Sequence, residues 1–142
     1  MDQLYLQNQL CFPLYALSRQ MTVLYKPYLE KLELTYPQYL VMLLLWEHKS
    51  LSVKQIGCEL WLDSGTLTPM LKRMAETGLL TRERSAKDER VVNIHLTKQG
   101  RLLQKKAIGI PENIFSELSI SHAELKSLKK ELSAILNNLE KK

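Results

Sequence analysis

The feature that most restricts how this chain can fold is the order of the segments predicted between residues 35 and 97. Three helical patterns come first, and only three residues separate the second from the third. Two short strand patterns follow, joined by a four-residue link, largely polar, that suits the tip of a hairpin. Two helices, a short turn, a third helix and a hairpin make the order of a winged helix-turn-helix. The predicted helices are at about 35–48, 52–60 and 64–77, and the strands are at 79–85 and 90–96.

Residue types at the helix ends support these boundaries. Ser52 is a candidate N-cap of the second helix, and Asp63 or Ser64 of the third. Gly78 lies just after the third helix, where a left-handed residue often ends a helix. Further helices are predicted at 2–26, with Pro13 as a kink or a late start and Pro27 as an end or a new start, at 97–108, and at 121–139 with a Ser121/Glu124 capping box.

The predicted fold is mainly α with a small β-hairpin wing. The outer helices have apolar faces too wide for one small domain to cover, so we expect two copies to associate through their N- and C-terminal helices. We therefore predict a single domain over residues 1–142. Its expected parts are dimerisation helices at 1–36 and 98–142 and a winged helix-turn-helix at 37–97.

Composition excludes several classes of protein. The longest apolar run, Tyr39 to Trp46, is too short to span a membrane, and no secretion signal is recognisable. Two cysteines do not make a disulfide framework, which favours a reduced, cytoplasmic protein. The three histidines lack ligand spacing, and there is neither a glycine-rich nucleotide loop nor a Ser/His/Asp arrangement. We expect no metal, no cofactor and no enzymatic activity.

Positive charge is concentrated in the middle of the chain. The net charge is +5, and residues 64–106 alone hold ten Lys/Arg against four Asp/Glu. The segments on either side are nearly neutral. A basic middle between neutral ends indicates a localised surface for a polyanion, although a solvated charged face has the same composition.

The third helix of the 35–97 segment has the residues expected of a helix that enters a DNA groove. Short hydroxyl side chains lie in its first turns and can bond phosphates or base edges, and an apolar stripe holds the helix to the core. Its predicted DNA-binding residues are Ser64, Thr66, Thr68, Lys72 and Arg73. The alternative is an ordinary surface helix with good caps.

Cationic residues surround the tip of the predicted hairpin. They are Arg82, Arg84, Lys87 and Arg90. An arginine at the tip of a wing can enter a narrow, electronegative minor groove. Alternating charges on an exposed ribbon also occur simply because they keep the protein soluble.

Long segments of the sequence resemble the MarR family of winged-helix regulators, and within it the organic-hydroperoxide sensors with one reactive cysteine. The segments are QLCFPLY at 9–15, YKPYL at 25–29, LTYPQYLVMLLLWEH at 34–48, LDSGTLTPMLKRM at 62–74 and DERVVNIHLT at 88–97. The last includes the Asp-x-Arg signature of the family's wing. The resemblance implies that Asp63 pairs with Arg90, which would connect the third helix to the wing.

Cys11 is the candidate redox sensor. A lone cysteine on an apolar helix face is usually a small buried hydrophobe. Tyr15 lies one turn further on, however, and Tyr25 returns to nearly the same face, where phenol hydroxyls could stabilise a thiolate. Because Tyr25 is about 21 Å away along a straight helix, it can reach a cysteine only across a dimer interface or through a bend.

The resemblance assigns roles to these residues. It implies that Tyr15 and Tyr25 reach Cys11 of the opposite subunit, and that Tyr36 helps to transmit the change. Cys58 matches no functional position of the family, and no cysteine follows it that could act as a C-terminal resolving cysteine.

The function expected from the whole sequence is that of a redox-responsive repressor. A homodimer would bind a pseudo-palindromic duplex DNA operator and release it when an organic hydroperoxide oxidises Cys11. A low-molecular-weight thiol would be the second reactant. Two alternatives stay open: a MarR-type repressor released by a small aromatic ligand, and a thiol peroxidase that uses Cys11.

Overall fold

The computed structural model describes residues 1–140 and divides the chain into two compact units, the first ending at Ile108 and the second starting at Gly109. Two short 3-10 turns open the first unit. Its longer elements are α1 (Cys11–Glu30), α2 (Tyr36–His48), β1 (Ser50–Ser52), α3 (Val53–Leu60), α4 (Ser64–Glu76), β2 (Leu80–Arg84), β3 (Val92–Leu96) and α5 (Lys98–Ala107). The second unit contains α6 (Ile110–Glu117) and α7 (His122–Glu140).

The predicted helix caps are confirmed. Ser52 starts α3 with a capping box, in which its hydroxyl accepts from the Gln55 N–H at 3.1 Å. Ser121 and Glu124 form the same arrangement before α7. Gly78, with φ +82°, follows α4 in the left-handed conformation. These bonds join residues three apart, so they depend only on the local sequence.

The first helix starts and ends later than the predicted 2–26. It begins at Cys11, which places Pro13 in the first turn, where a missing N–H removes no helical hydrogen bond. Pro27 does not end it, and the helix continues to Glu30. Pro27 lacks the N–H that would bond the carbonyl of Val23, so it removes one helical hydrogen bond without ending the helix.

A short strand before α3 was not predicted. β1 pairs antiparallel with β3, with Leu51 opposite Ile94, and the hairpin pairs β2 with β3 from Leu80/Leu96 to Arg84/Val92. The sheet order is therefore β1-β3-β2. Strand β1 attaches the start of α3 to the base of the hairpin.

The core of the first unit holds the helix-turn-helix to this sheet. The side chains with no exposed surface come from α2, α3, α4 and β3, and they are Val41, Met42, Leu45, Ile56, Leu67, Leu71 and Ile94. The indole N–H of Trp46 donates to the Gly100 carbonyl at 2.9 Å and connects α2 to α5.

The predicted composition of the fold, mainly helical with a small antiparallel wing, is confirmed. None of the helices described within residues 1–140 is long and apolar enough to cross a membrane. The same residues contain no group of His, Cys, Asp and Glu arranged to hold a metal ion. The predicted single domain and its assignment to dimerisation and DNA-binding parts stay predictions.

Candidate functional site

Helix α4 presents one face to the core and the other to solvent. Leu67, Met70, Leu71 and Met74 are buried on the inner face. Four of the five predicted DNA-binding residues of this helix are exposed, namely Ser64, Thr66, Lys72 and Arg73, and Thr68 is half-buried. The Asp63 carboxylate accepts from the Thr66 N–H at 2.7 Å and caps the helix. The hydroxyl side chains of the first turns are thereby held at an exposed helix N-terminus.

The turn between α3 and α4 is tight because of one glycine. Trp61 ends α3 in the left-handed conformation, and the Leu62 N–H donates to the Gly57 carbonyl at 3.0 Å. A Cβ atom at Gly57 would lie 2.7 Å from the Leu62 carbonyl oxygen, closer than such atoms approach. Gly57 therefore lets the chain return close to α3 and fixes the position of α4.

The wing tip is held by hydrogen bonds between its own residues. The Arg84 guanidinium donates to the Glu89 carbonyl at 2.7 Å, while Arg90 donates to both carboxylate oxygens of Asp88, at 3.1 and 3.3 Å. The Arg90 side chain, together with the Arg90 backbone N–H, holds the pKa of the Asp88 carboxyl below its usual range. Lys87, between them, is exposed at the tip.

The expected pair of Asp63 and Arg90 is not formed. Arg90 binds Asp88, two residues away, and Asp63 uses its carboxylate to cap α4. Asp63 and Arg90 thus each bind a group that is closer along the chain than they are to one another. The Asp-x-Arg pair stabilises the wing loop itself and does not connect α4 to the wing.

Helices α3 and α4 and the wing enclose a cleft of about 850 Å³. Its cationic lining residues are Lys54, Lys72, Arg82, Arg84 and Arg90, and the lining drawn from residues 1–140 includes no carboxylate. The Nε atom of Arg82 is buried without a hydrogen-bond partner. Cys58 also lines this cleft, a position that was not predicted from the sequence. A cationic cleft beside an exposed helix N-terminus is suited to bind a polyanion.

Cys11 is the first residue of α1, and its side chain is exposed. Large apolar side chains exposed around it include Leu10, Phe12, Leu14 and Leu17. Tyr15, one turn away, is 63% exposed, and the Arg19 guanidinium lies over its ring at 5.5 Å from the centroid. The predicted sensor and its first tyrosine therefore share an apolar surface that the chain itself leaves uncovered.

The other two predicted tyrosines lie in an aromatic cluster with a third. The ring centroids of Tyr25 and Tyr36 are 4.9 Å apart, and Tyr39, which the sequence did not single out, lies 5.7 Å from Tyr25. Burial, together with the neighbouring Tyr36 and Tyr39, raises the pKa of Tyr25 to about 12. Burial also raises the pKa of Tyr36. These hydroxyls stay protonated at neutral pH and can donate hydrogen bonds.

The chain does not bring Cys11 and Tyr25 together. Both lie on α1, which continues through Pro27, so they stay about 21 Å apart along the helix. Of the two alternatives, a dimer interface or a bend, the continuous helix favours the dimer interface. The structure packs Tyr25 against Tyr36, whereas Tyr15 lies one helical turn from Cys11.

Two helices joined by a tight turn, an exposed second helix and a cationic hairpin define a winged helix-turn-helix protein of the DNA-binding class. The family model described as "Transcriptional regulator SarA/Rot" matches residues 23–107. Over 141 residues the chain is 57% identical to the organic hydroperoxide resistance transcriptional regulator of Bacillus subtilis (strain 168), covering 99% of this chain and 96% of that protein.

Solved structures agree with this match. Reduced AbfR bound to DNA has a TM-score of 0.79 at 40% identity, covering 97% of this chain and 96% of that one. Disulfide-formed AbfR has a TM-score of 0.66 at 38% identity over 95% of each chain. A mutant of MarR from E. coli in complex with operator DNA shares the fold, with a TM-score of 0.80 at 23% identity, covering 89% of this chain and 93% of that one.

The chain belongs to the family of transcriptional regulators that the SarA/Rot model describes, and its fold is a winged helix. The resemblance predicted from its sequence, to the MarR family and its organic-hydroperoxide sensors, is confirmed.

Proposed function

We propose that this protein is a redox-responsive DNA-binding repressor that senses organic hydroperoxides through Cys11 and then releases its operator. The observation that carries the proposal is the exposed Cys11 thiol at the start of α1, next to Tyr15. The likeness to an organic hydroperoxide resistance regulator supports the signal, and the reduced DNA-bound and disulfide-formed structures of AbfR support a redox response. It acts in the cytoplasm, where it meets DNA, as a regulator and not as an enzyme.

The proposed repressor is a homodimer. The apolar side chains exposed on α1, such as Leu14 and Leu17, form one surface for a second copy. Helix α7 has no buried residue, and Leu128, Ile135, Leu136 and Leu139 are exposed on it. Large exposed apolar patches in a folded protein usually mark an interaction surface. Two-fold symmetry gives two recognition helices about one DNA turn apart, which fits a pseudo-palindromic operator.

The proposed DNA contacts divide between two elements. Ser64, Thr66 and Thr68 at the start of α4 read base edges or bind phosphates in the major groove. Lys72 and Arg73, further along α4, bind phosphates. Lys87 at the wing tip, with Arg84 and Arg90 beside it, binds the adjacent minor groove or its phosphates. The cationic cleft between α4 and the wing supports this arrangement.

The proposed chemistry begins on the Cys11 sulfur. The thiolate attacks one oxygen of the hydroperoxide, the O–O bond breaks, and an alcohol leaves after taking up a proton. The resulting sulfenic acid condenses with a low-molecular-weight thiol, which forms a mixed disulfide and releases water. Condensation with a backbone nitrogen, also with loss of water, is the other route.

Tyrosines connect this chemistry to the rest of the dimer. In the proposal, the hydroxyls of Tyr15 and Tyr25 donate to the Cys11 thiolate of a second copy, across the interface that brings them within reach. The pKa of Tyr25, about 12, keeps its hydroxyl protonated for this role. Tyr36 packs on Tyr25 and relays the change towards α2. Oxidation removes the negative charge that the tyrosines hold and adds bulk, which biases the dimer towards a second arrangement with its recognition helices out of register.

DNA binding by matched cysteine variants tests the proposal. Wild type, Cys11→Ser and Cys58→Ser are each titrated with operator DNA, with and without an organic hydroperoxide and a small thiol. We expect wild type and Cys58→Ser to release DNA and Cys11→Ser to stay bound. Intact-mass spectra should show the adduct on the peptide that contains Cys11.

Other outcomes would contradict the proposal. Release of DNA from Cys11→Ser on peroxide treatment would exclude Cys11 as the sensor and favour a small-ligand repressor. Steady consumption of peroxide with a reductant, without DNA binding, would favour the thiol peroxidase.

A further inference from the structure

Arg19 is the sole charged residue between residues 3 and 25. Its guanidinium lies over the ring of Tyr15, with the central carbon 5.5 Å from the ring centroid. No ion pair found among residues 1–140 includes Arg19. Over the part of α1 that precedes Lys26, Arg19 is therefore a lone cation on a largely apolar surface, and it has the Tyr15 ring as its partner.

The three residues Cys11, Tyr15 and Arg19 follow one another at intervals of four on α1. Each interval turns the helix by about 40° and advances it by about 6 Å, so the three form a slightly slanted stripe on one face. Arg19 lies about 12 Å from Cys11 along the axis, which is too far for a direct contact within the chain. Within one chain, the side chain that Arg19 contacts is therefore that of Tyr15 and not that of Cys11.

We propose that Arg19 is a positioning residue for the redox sensor, which holds the Tyr15 ring and strengthens the Tyr15 hydroxyl as a donor to the Cys11 thiolate of a second copy. The inference rests on the proposed function of Cys11. A cation over an aromatic face is attracted by the electrons of the ring. Drawing electron density from the phenol makes its O–H a better hydrogen-bond donor, and a hydrogen bond to the thiolate favours this reactive form. The contact also restricts the rotamers of Tyr15, so less ordering is needed when the dimer forms.

The test uses Cys58→Ser protein throughout, so that Cys11 is the single thiol. The rate of Cys11 oxidation by an organic hydroperoxide and the rate of its alkylation against pH are measured in Arg19→Gln, Arg19→Lys and Lys26→Gln. Lys26 is also an exposed cation on α1, but it pairs with Glu30 at 3.9 Å, so its variant controls for the loss of one charge. We expect Arg19→Gln to slow oxidation about two- to fivefold at neutral pH and to move the alkylation profile to higher pH. Arg19→Lys should keep most of the wild-type rate, and Lys26→Gln all of it.

A double-mutant cycle separates an action through Tyr15 from a direct one. Tyr15→Phe keeps the ring and removes the hydroxyl, so adding Arg19→Gln to it should slow oxidation no further. An equal further loss in the Tyr15→Phe background would overturn the inference, as would a wild-type rate in Arg19→Gln. Dissociation of Arg19→Gln to monomer in sedimentation, with Lys26→Gln still dimeric, would also overturn it by assigning Arg19 to the interface itself.

Failure of the inference is distinguishable from failure of the proposed function. If protein lacking Cys11 still releases DNA on peroxide treatment, the sensor assignment fails, whatever Arg19→Gln does. If that protein is unresponsive and Arg19→Gln reacts like wild type, Cys11 stays the sensor and the role of Arg19 alone is refuted.

Discussion

Helices α1 and α4 differ in how many of their apolar side chains are buried. Over the 20 residues of α1 a single side chain, Leu29, is buried, whereas four are buried over the 13 residues of α4. The outer face of α4 is polar and cationic, while that of α1 is apolar with one charge up to residue 25. The two exposed surfaces are therefore suited to different partners. The apolar surface of α1 suits a second protein surface, and the cationic surface of α4 suits a polyanion.

The largest effect should come from placing a charge on the apolar surface of α1. Leu17 is 47% exposed, so Leu17→Glu should leave the fold of the chain intact. In a dimer the same change buries two unpaired carboxylates, which should weaken association at least 100-fold and reduce operator binding to that of a half-site. Sedimentation at micromolar concentration and circular dichroism measure the two properties.

Ala86→Glu is the control for the Leu17 variant, because it adds the same charge at the exposed wing tip and should leave the dimer intact. A Leu17→Glu protein that stays dimeric would show that α1 contributes nothing to the interface. The contrast between the two helices would then need another explanation.

A smaller effect is expected from removing one cation on α4. If Lys72 binds a phosphate, Lys72→Ala should lower operator affinity at all sequences and reduce the slope of log affinity against log salt by about two units per dimer. Titrations at several salt concentrations measure the slope. Lys129→Ala, which removes the same charge from α7 in a neutral part of the chain, should leave the slope unchanged. Unchanged binding in both Lys72→Ala and Arg90→Ala would reduce the basic region to a solvated face.

The smallest effect concerns the stability of the tyrosine cluster at high pH. The pKa of Tyr25 is raised to about 12 from 10.0, so the unfolded chain loses this proton first. Stability contributed by the protonated phenol is therefore complete below pH 10 and is lost as pH rises towards 12. Because the ring is partly exposed, we expect a loss of about 1 kcal/mol, less than the full shift implies.

Urea unfolding at pH 9 and pH 11.5 measures this loss. The free energy of unfolding should fall less between these two pH values in Tyr25→Phe than in wild type. Tyr15→Phe is the matched control, because Tyr15 is largely exposed and lies outside the cluster. An equal fall in wild type and Tyr25→Phe would mean that the cluster does not control this part of the pH dependence.

The sequence by itself determined the features that depend on neighbours along the chain. The caps at Ser52, Asp63 and Ser121, the left-handed Gly78 and the order of the helices and the hairpin could all be predicted. A cap bonds a backbone N–H two or three residues away, so no distant residue is needed to place it. Long segments in the right order were also enough to indicate the family.

Contacts between distant residues were decided by the tertiary structure. β1 is only three residues long, and it exists because it pairs with β3 more than 40 residues later. Asp63 and Arg90 are distant in the sequence and do not pair, because each binds a group close to it along the chain: Arg90 binds Asp88 at 3.1 Å, and the Asp63 carboxylate caps α4. Tyr39 contacts Tyr25 because α1 and α2 pack together. Each residue has several possible partners, and the folded chain decides which of them comes close enough to bind. The order of residues along the sequence does not give these distances.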